Sequence, residues 1–220
     1  MIGTWFMTGS PQVMDVLAYN LDFAIIDMEH GQIDYNDLLT LKNTAGDLLI
    51  LVRPPTNNPT DIQHLMDIGF FGIIVPHVST ELDIQNLIKY SSYPPKGELG
   101  FSPFTPAFGY GAYAKQDIFR AIIIESKEGV SNLDALLAYD EINMVYIGVY
   151  DLSKEYGFDM YSDEMKALMQ YIATIARKHN KDLGAIYKDA ESKAFLEELE
   201  VEWMVYKTDT AIIFDATKDI

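Results

Sequence analysis

Eight short apolar runs, each about five residues long and rich in Ile, Val, Tyr and Phe, alternate along this chain with stretches of helical spacing. They cover residues 3–7, 23–27, 48–53, 71–76, 121–125, 144–148, 183–187 and 203–207. Good helix caps stand between them: Ser10-Pro11, Asn58-Pro59-Thr60, Ser79-Thr80-Glu81 and Ser162-Asp163. A strand–loop–helix unit repeated eight times predicts an α/β fold of the (β/α)8 barrel type, with residues 1–220 as one domain. The competing arrangement, an open doubly wound sheet, lacks support because no glycine-rich dinucleotide fingerprint follows any run. After the eighth run only residues 208–220 remain, which allows a short C-terminal helix. Residues 90–115 break the rhythm with Pro94, Pro95, Pro103 and Pro106, and are expected to form a long ordered loop near the site.

Composition then removes whole classes of function. With no cysteine, disulfides and thiolate chemistry are excluded, so any metal must sit on oxygen or imidazole donors, which favours hard divalent ions. Sixteen basic against thirty-three acidic residues give a net charge of −17, which opposes binding to nucleic acid or anionic membranes. An anionic substrate would need local positive charge. No apolar run approaches the roughly 18 residues of a membrane helix, and no basic stretch precedes the apolar N-terminal residues, so a cytoplasmic protein is expected.

In a barrel, chemistry sits where strands end and βα loops begin. The second run ends in Asp27-Met28-Glu29-His30, two carboxylates and an imidazole directly after an apolar strand. The third ends in Arg53-Pro54-Pro55, placing a guanidinium suited to a carboxylate or enolate oxygen at the mouth. The fifth and sixth deliver Glu125 and Asp151 to the same rim. Two neighbouring carboxylates repel unless a metal, a proton or a base lies between them, and a divalent ion is the economical answer. Each acid taken alone could equally be a helix cap or an arginine partner. His64 and His179 lie in helical stretches and are expected to pack or face solvent, whereas His77 follows the fourth run and is a weaker candidate for facing substrate.

These stretches resemble the class II pyruvate aldolases, the family of 4-hydroxy-2-oxoheptanedioate and 2-dehydro-3-deoxyglucarate aldolases, whose barrel is of the phosphoenolpyruvate/pyruvate type. The resemblance runs through Gly3-Thr4-Trp5, Asp27-Met28-Glu29-His30, Arg53-Pro54, Tyr93-Pro94-Pro95-Lys96-Gly97, Ile124-Glu125 and Asp151-Leu152-Ser153, in order and spacing. It implies a metal-dependent lyase that cleaves a 4-hydroxy-2-oxo acid to pyruvate, or a related 2-oxo acid, and an aldehyde through a stabilised enolate. Glu125 and Asp151 would hold Mg²⁺ or Mn²⁺, with Co²⁺ a further candidate. His30, oriented by Asp27, would act as base, Arg53 would steady the enolate oxygen, and the backbone at Tyr150 and Asp151 would hold the substrate carboxylate. A homo-oligomer is implied as well.

The sequence departs from the family at Ile123, where a glutamine is usual, at Leu99 for an arginine, at Val149 for a proline, and at Tyr150 for a small residue. A reshaped, less polar pocket is expected, suited to a different aldehyde or a larger 2-oxo acid. Two alternatives remain open: a Schiff-base aldolase using Lys207 or Lys188 as amine nucleophile, and a barrel that binds a 2-oxo acid without turnover.

Overall fold

The computed structural model describes residues 1–112 and 117–220. Its eight strands, β1 (Ile2–Phe6), β2 (Phe23–Asp27), β3 (Leu49–Arg53), β4 (Gly72–Val75), β5 (Phe119–Ile124), β6 (Met144–Ile147), β7 (Asp182–Tyr187) and β8 (Trp203–Thr208), pair in parallel in sequence order, and β8 closes on β1. The seam is held partly by the buried Asp209 carboxylate, which accepts the backbone N–H groups of Met7 and Thr8 and the Thr8 hydroxyl. The (β/α)8 expectation is met, down to the short C-terminal helix.

Around the barrel lie α1 (Pro11–Ala18), α2 (Tyr35–Thr44), α3 (Pro59–Ile68), α4 (Glu81–Ser91), α5 (Lys127–Leu136), α6 (Val149–Tyr156), α7 (Asp163–Lys178), α8 (Ala190–Glu198) and α9 (Asp209–Thr217). The caps read from sequence do the expected work. Ser10, Asn58 and Ser162 each accept a backbone N–H of the first turn, and Thr80 closes a capping box with Asp83. The two outlying histidines pack as expected, His64 edge-on to Tyr35 and His179 against Asp134.

Because side chains on a strand alternate, every second residue points into the barrel. The inner core contains Trp5, Phe23, Ile25, Leu51, Ile74, Ala121, Ile123, Tyr146, Ile186 and Trp203 among its members. Its lower end is aromatic, with Trp203 4.9 Å from Phe23 and 5.0 Å from Phe119, ring centre to ring centre. A larger cluster fills the space between strands and helices.

Two expectations need correction. The sixth run does not carry Asp151 as a strand end: β6 stops at Ile147, and Gly148 caps α6, so Asp151 lies in the first turn of a helix. The segment 90–115 does not lie near the strand C-termini. It follows α4 and leads into β5, so it covers the opposite, N-terminal face, where its 3₁₀ turn Pro106–Gly111 packs against the end of α3. Leu99 within it is buried in the outer core. A break in rhythm does not reveal to which end of the barrel a loop belongs. The part of that expectation falling on residues 113–115 lies outside the described residues.

Candidate active site at the barrel mouth

Strand register assembles the site. Asp27, Arg53 and Glu125 each stand two residues beyond an inward-facing residue, Ile25, Leu51 and Ile123, so all three point into the mouth. Asp27 and Arg53 are register partners on β2 and β3. The guanidinium donates from Nε to Asp27 Oδ1 at 2.9 Å and from Nη2 to Oδ2 at 2.6 Å, and its Nη1 lies 3.2 Å from Glu29 Oε2. Trp5 lies beneath it, with the guanidinium carbon 4.3 Å from the ring centre. Burial opposes the charge on Arg53, but Asp27 and then Glu29 and Glu125 outweigh it and keep the group firmly cationic.

Asp27 serves Arg53 and the loop backbone rather than the His30 ring. Its Oδ1 accepts the N–H groups of Glu29 and His30 at 3.0 and 3.2 Å. Thus Asp27 fixes the turn that carries His30, and no bond between its carboxylate and the imidazole is found among the described residues. The tight turn itself depends on Gly31, where a Cβ would stand 2.2 Å from the Asp27 carbonyl oxygen.

Glu125 is buried, and α6 begins directly against it: a Cβ on Gly148 would lie 2.5 Å from the Glu125 Cβ, so only glycine allows this approach. Burial raises the Glu125 carboxyl above its ordinary range, opposed by His77 and reinforced by the charges of Asp151 and Glu29. His77 was the weak candidate of the sequence, and it enters the site through a left-handed backbone at φ 57°. Its N–H donates to Glu125 Oε1 at 2.6 Å, its Nδ1 lies 2.9 Å from the same oxygen, and its Nε2 lies 2.7 Å from Glu29 Oε1. A run ending in Val75-Pro76 signals the strand end but not the reversal that aims the next ring inward.

The pocket over these groups holds about 270 Å³ and brings together Asp27, His30, Arg53, Glu125, Tyr150 and Asp151, all expected from sequence, with an apolar wall of Trp5, Ile123, Tyr146 and Ile186. Tyr150 is half exposed and stands at the rim, shared with a second cavity of about 330 Å³ that holds Lys188, Lys207 and Asp215. Neither lysine reaches the first pocket. Lys207 Nζ is 2.5 Å from Asp215 Oδ2, a contact that raises its pKa, and Lys188 is exposed beside the Tyr161 ring. This arrangement speaks against the Schiff-base alternative, which needs an uncharged amine in the site.

Residues 2–201 match the family described as HpcH/HpaI aldolase/citrate lyase. This chain belongs to that family. It is 31% identical over 210 residues to the 5-keto-4-deoxy-D-glucarate aldolase of Citrobacter koseri, an alignment that covers 89% of this chain and 81% of the relative. Among solved structures, an HpcH/HpaI aldolase/citrate lyase family protein from Burkholderia cenocepacia superposes with a TM-score of 0.93 at 20% identity, over 100% of this chain and 92% of that one. The citrate synthase SbnG superposes with a TM-score of 0.88 at 26% identity, over 99% and 90% of the two chains. As a member of the HpcH/HpaI family the chain is an aldolase-type carbon–carbon lyase on a closed (β/α)8 barrel. No described helix is long and apolar enough to cross a membrane.

Proposed function

We propose that this HpcH/HpaI protein is a divalent-metal-dependent aldolase that reversibly cleaves a 4-hydroxy-2-oxo acid at the C3–C4 bond, giving pyruvate or a close 2-oxo acid and an aldehyde. The observation that carries the reading is the meeting of Glu125 and Asp151 in one pocket with Arg53 and the start of α6.

The donor set fits a metal of the Mg²⁺ or Mn²⁺ class, with Co²⁺ also compatible. Burial raises the Glu125 carboxyl pKa, the Asp151 charge adds to that rise, and Glu125 Oε2 accepts from no described residue. Among the described residues no three His, Cys, Asp or Glu side chains are placed to hold one metal ion together, so the protein would contribute the two carboxylates Glu125 and Asp151. That sparse protein share is how such ions commonly bind where substrate completes the shell. Bound there, the ion would supply Lewis acidity to the 2-oxo group.

The chain's own residues supply the rest. The first-turn N–H groups of α6, at Val149, Tyr150 and Asp151, have no partner within the helix and suit a substrate carboxylate. Arg53, held in place by Asp27 and Trp5, keeps donors for the oxygen that becomes the enolate. His30 lines the same pocket and takes the proton of the 4-hydroxyl as the C3–C4 bond breaks to leave aldehyde and enolate; a proton gained at C3 then completes the 2-oxo acid. Trp5, Ile123 and Ile186 form an apolar wall on the inner side of these groups.

The test is release of pyruvate from a 4-hydroxy-2-oxo acid with Mn²⁺ present. Release lost with chelator and in Asp151→Ala supports the reading. Release that persists under both conditions overturns it.

A further inference from the structure

We propose that the Tyr146 hydroxyl, at the floor of the mouth pocket, is a substrate-binding donor that gives its hydrogen to an oxygen of the bound 2-oxo acid. The inference rests on the function proposed above and adds to it a residue that fixes how the acid sits.

Tyr146 lies on β6 directly beside Ile123 of β5, its register partner, and two residues before Gly148 on the same inward face. Its side chain is almost wholly buried, yet it lines the pocket together with Arg53, Glu125 and Asp151. The Trp5 indole nitrogen lies 2.8 Å from the hydroxyl oxygen. An indole N–H can only donate, so the tyrosine oxygen is the acceptor and its own hydrogen must go elsewhere. Among the described residues no acceptor takes it. A buried O–H without an acceptor is unfavourable, and in a pocket the remedy is a water that a ligand oxygen can displace.

The surroundings favour a ligand acceptor oxygen at that point. Ile123, Ile186 and the Trp5 ring leave the floor apolar, so Tyr146 is the polar group that projects from it, while the carboxylates and Arg53 surround the opening above. Burial raises the phenol pKa well above its usual value, so the hydroxyl stays protonated and acts as a donor throughout the neutral range. Next to Ile123, which offers no hydrogen bond, the hydroxyl provides one from the neighbouring strand.

The experiment is a calorimetric titration of pyruvate into the Mn²⁺-loaded protein, in wild type, Tyr146→Phe, Trp5→Phe and the double variant, with Mn²⁺ affinity measured separately for each. Loss of a hydrogen bond to a charged group weakens pyruvate binding by about ten- to a hundredfold in Tyr146→Phe, with Mn²⁺ affinity unchanged. In the Trp5→Phe background the same substitution still costs tenfold or more, because the hydroxyl acts on the ligand directly. If Tyr146→Phe has no further effect there, the hydroxyl merely braces Trp5 and the proposal is overturned. Equal pyruvate affinity in wild type and Tyr146→Phe also overturns it while leaving the aldolase reading intact. A wild-type protein that binds Mn²⁺ but neither pyruvate nor larger 2-oxo acids overturns both.

Discussion

Arg53 and Asp27 are joined by two parallel hydrogen bonds, of 2.9 and 2.6 Å, because they are register partners at the ends of adjacent strands. Both are buried, and the same carboxylate holds the backbone of Glu29 and His30. Removing the acid therefore leaves a buried guanidinium short of its partner and frees the turn that carries His30. Asp27→Ala is expected to lower unfolding free energy by about 3–5 kcal/mol, the usual result of breaking one side of a buried ion pair. Urea denaturation measures it, and Asp27→Asn, which keeps one acceptor oxygen, should lose less.

Glu125 predicts a pH signature. Its carboxyl has an ordinary pKa of 4.5 and is raised in the folded protein, chiefly by burial. The folded state therefore holds this proton more tightly than the unfolded chain does. Its contribution to stability is present at low pH, falls as pH rises from the unfolded value through the folded one, and stays lost above. Glu125→Gln removes that loss. Without metal, the variant should match wild type near pH 4 and melt at a higher temperature as pH rises to about 7. Mn²⁺ should reverse the order, stabilising wild type and not the variant. Melting curves across pH with and without Mn²⁺ test both halves.

His30→Gln should lower the rate of aldol cleavage by about 10²–10⁴, the usual contribution of a positioned base, while leaving Mn²⁺ affinity unchanged. Steady-state cleavage and metal titration on the same preparation separate the two effects. A fall of less than threefold would move the base to another residue.

Lys188 and Lys207 should be dispensable for chemistry, since one is exposed and the other is tied to Asp215. Borohydride added with pyruvate should leave no covalent adduct, and mass spectrometry of the intact chain reads this directly. An adduct on either lysine would restore the Schiff-base mechanism.

Much of this architecture is legible in the residues because parallel strands and caps are local signals. The eight apolar runs match β1 to β8 to within one residue at each end, except that β5 begins two residues before its run, and Ser10, Asn58, Thr80 and Ser162 cap as their chemistry dictates. Strand ends also expose Asp27, Arg53 and Glu125 through simple alternation. What escaped is set by features that alternation does not encode. The left-handed backbone at His77 turns its ring toward Glu29 and Glu125, and the helix beginning at Val149 carries Asp151 in its first turn. The Asp27–Arg53 pair needed the register between strands, which is a tertiary fact. Tyr146 does not stand out within the sixth run, because its hydroxyl gains meaning only through Trp5, 141 residues away.

The central claim is that Glu125 and Asp151 would hold a divalent ion whose Lewis acidity favours loss of a proton next to the carbonyl of a 2-oxo acid. It is tested most directly by following exchange of the pyruvate methyl protons with deuterium by NMR, which requires no knowledge of the aldehyde. The account predicts exchange with Mg²⁺ or Mn²⁺ that chelator, Glu125→Gln or Asp151→Ala each abolish. Exchange that survives chelation and both substitutions, or no exchange with any divalent ion and any of several 2-oxo acids, would contradict it.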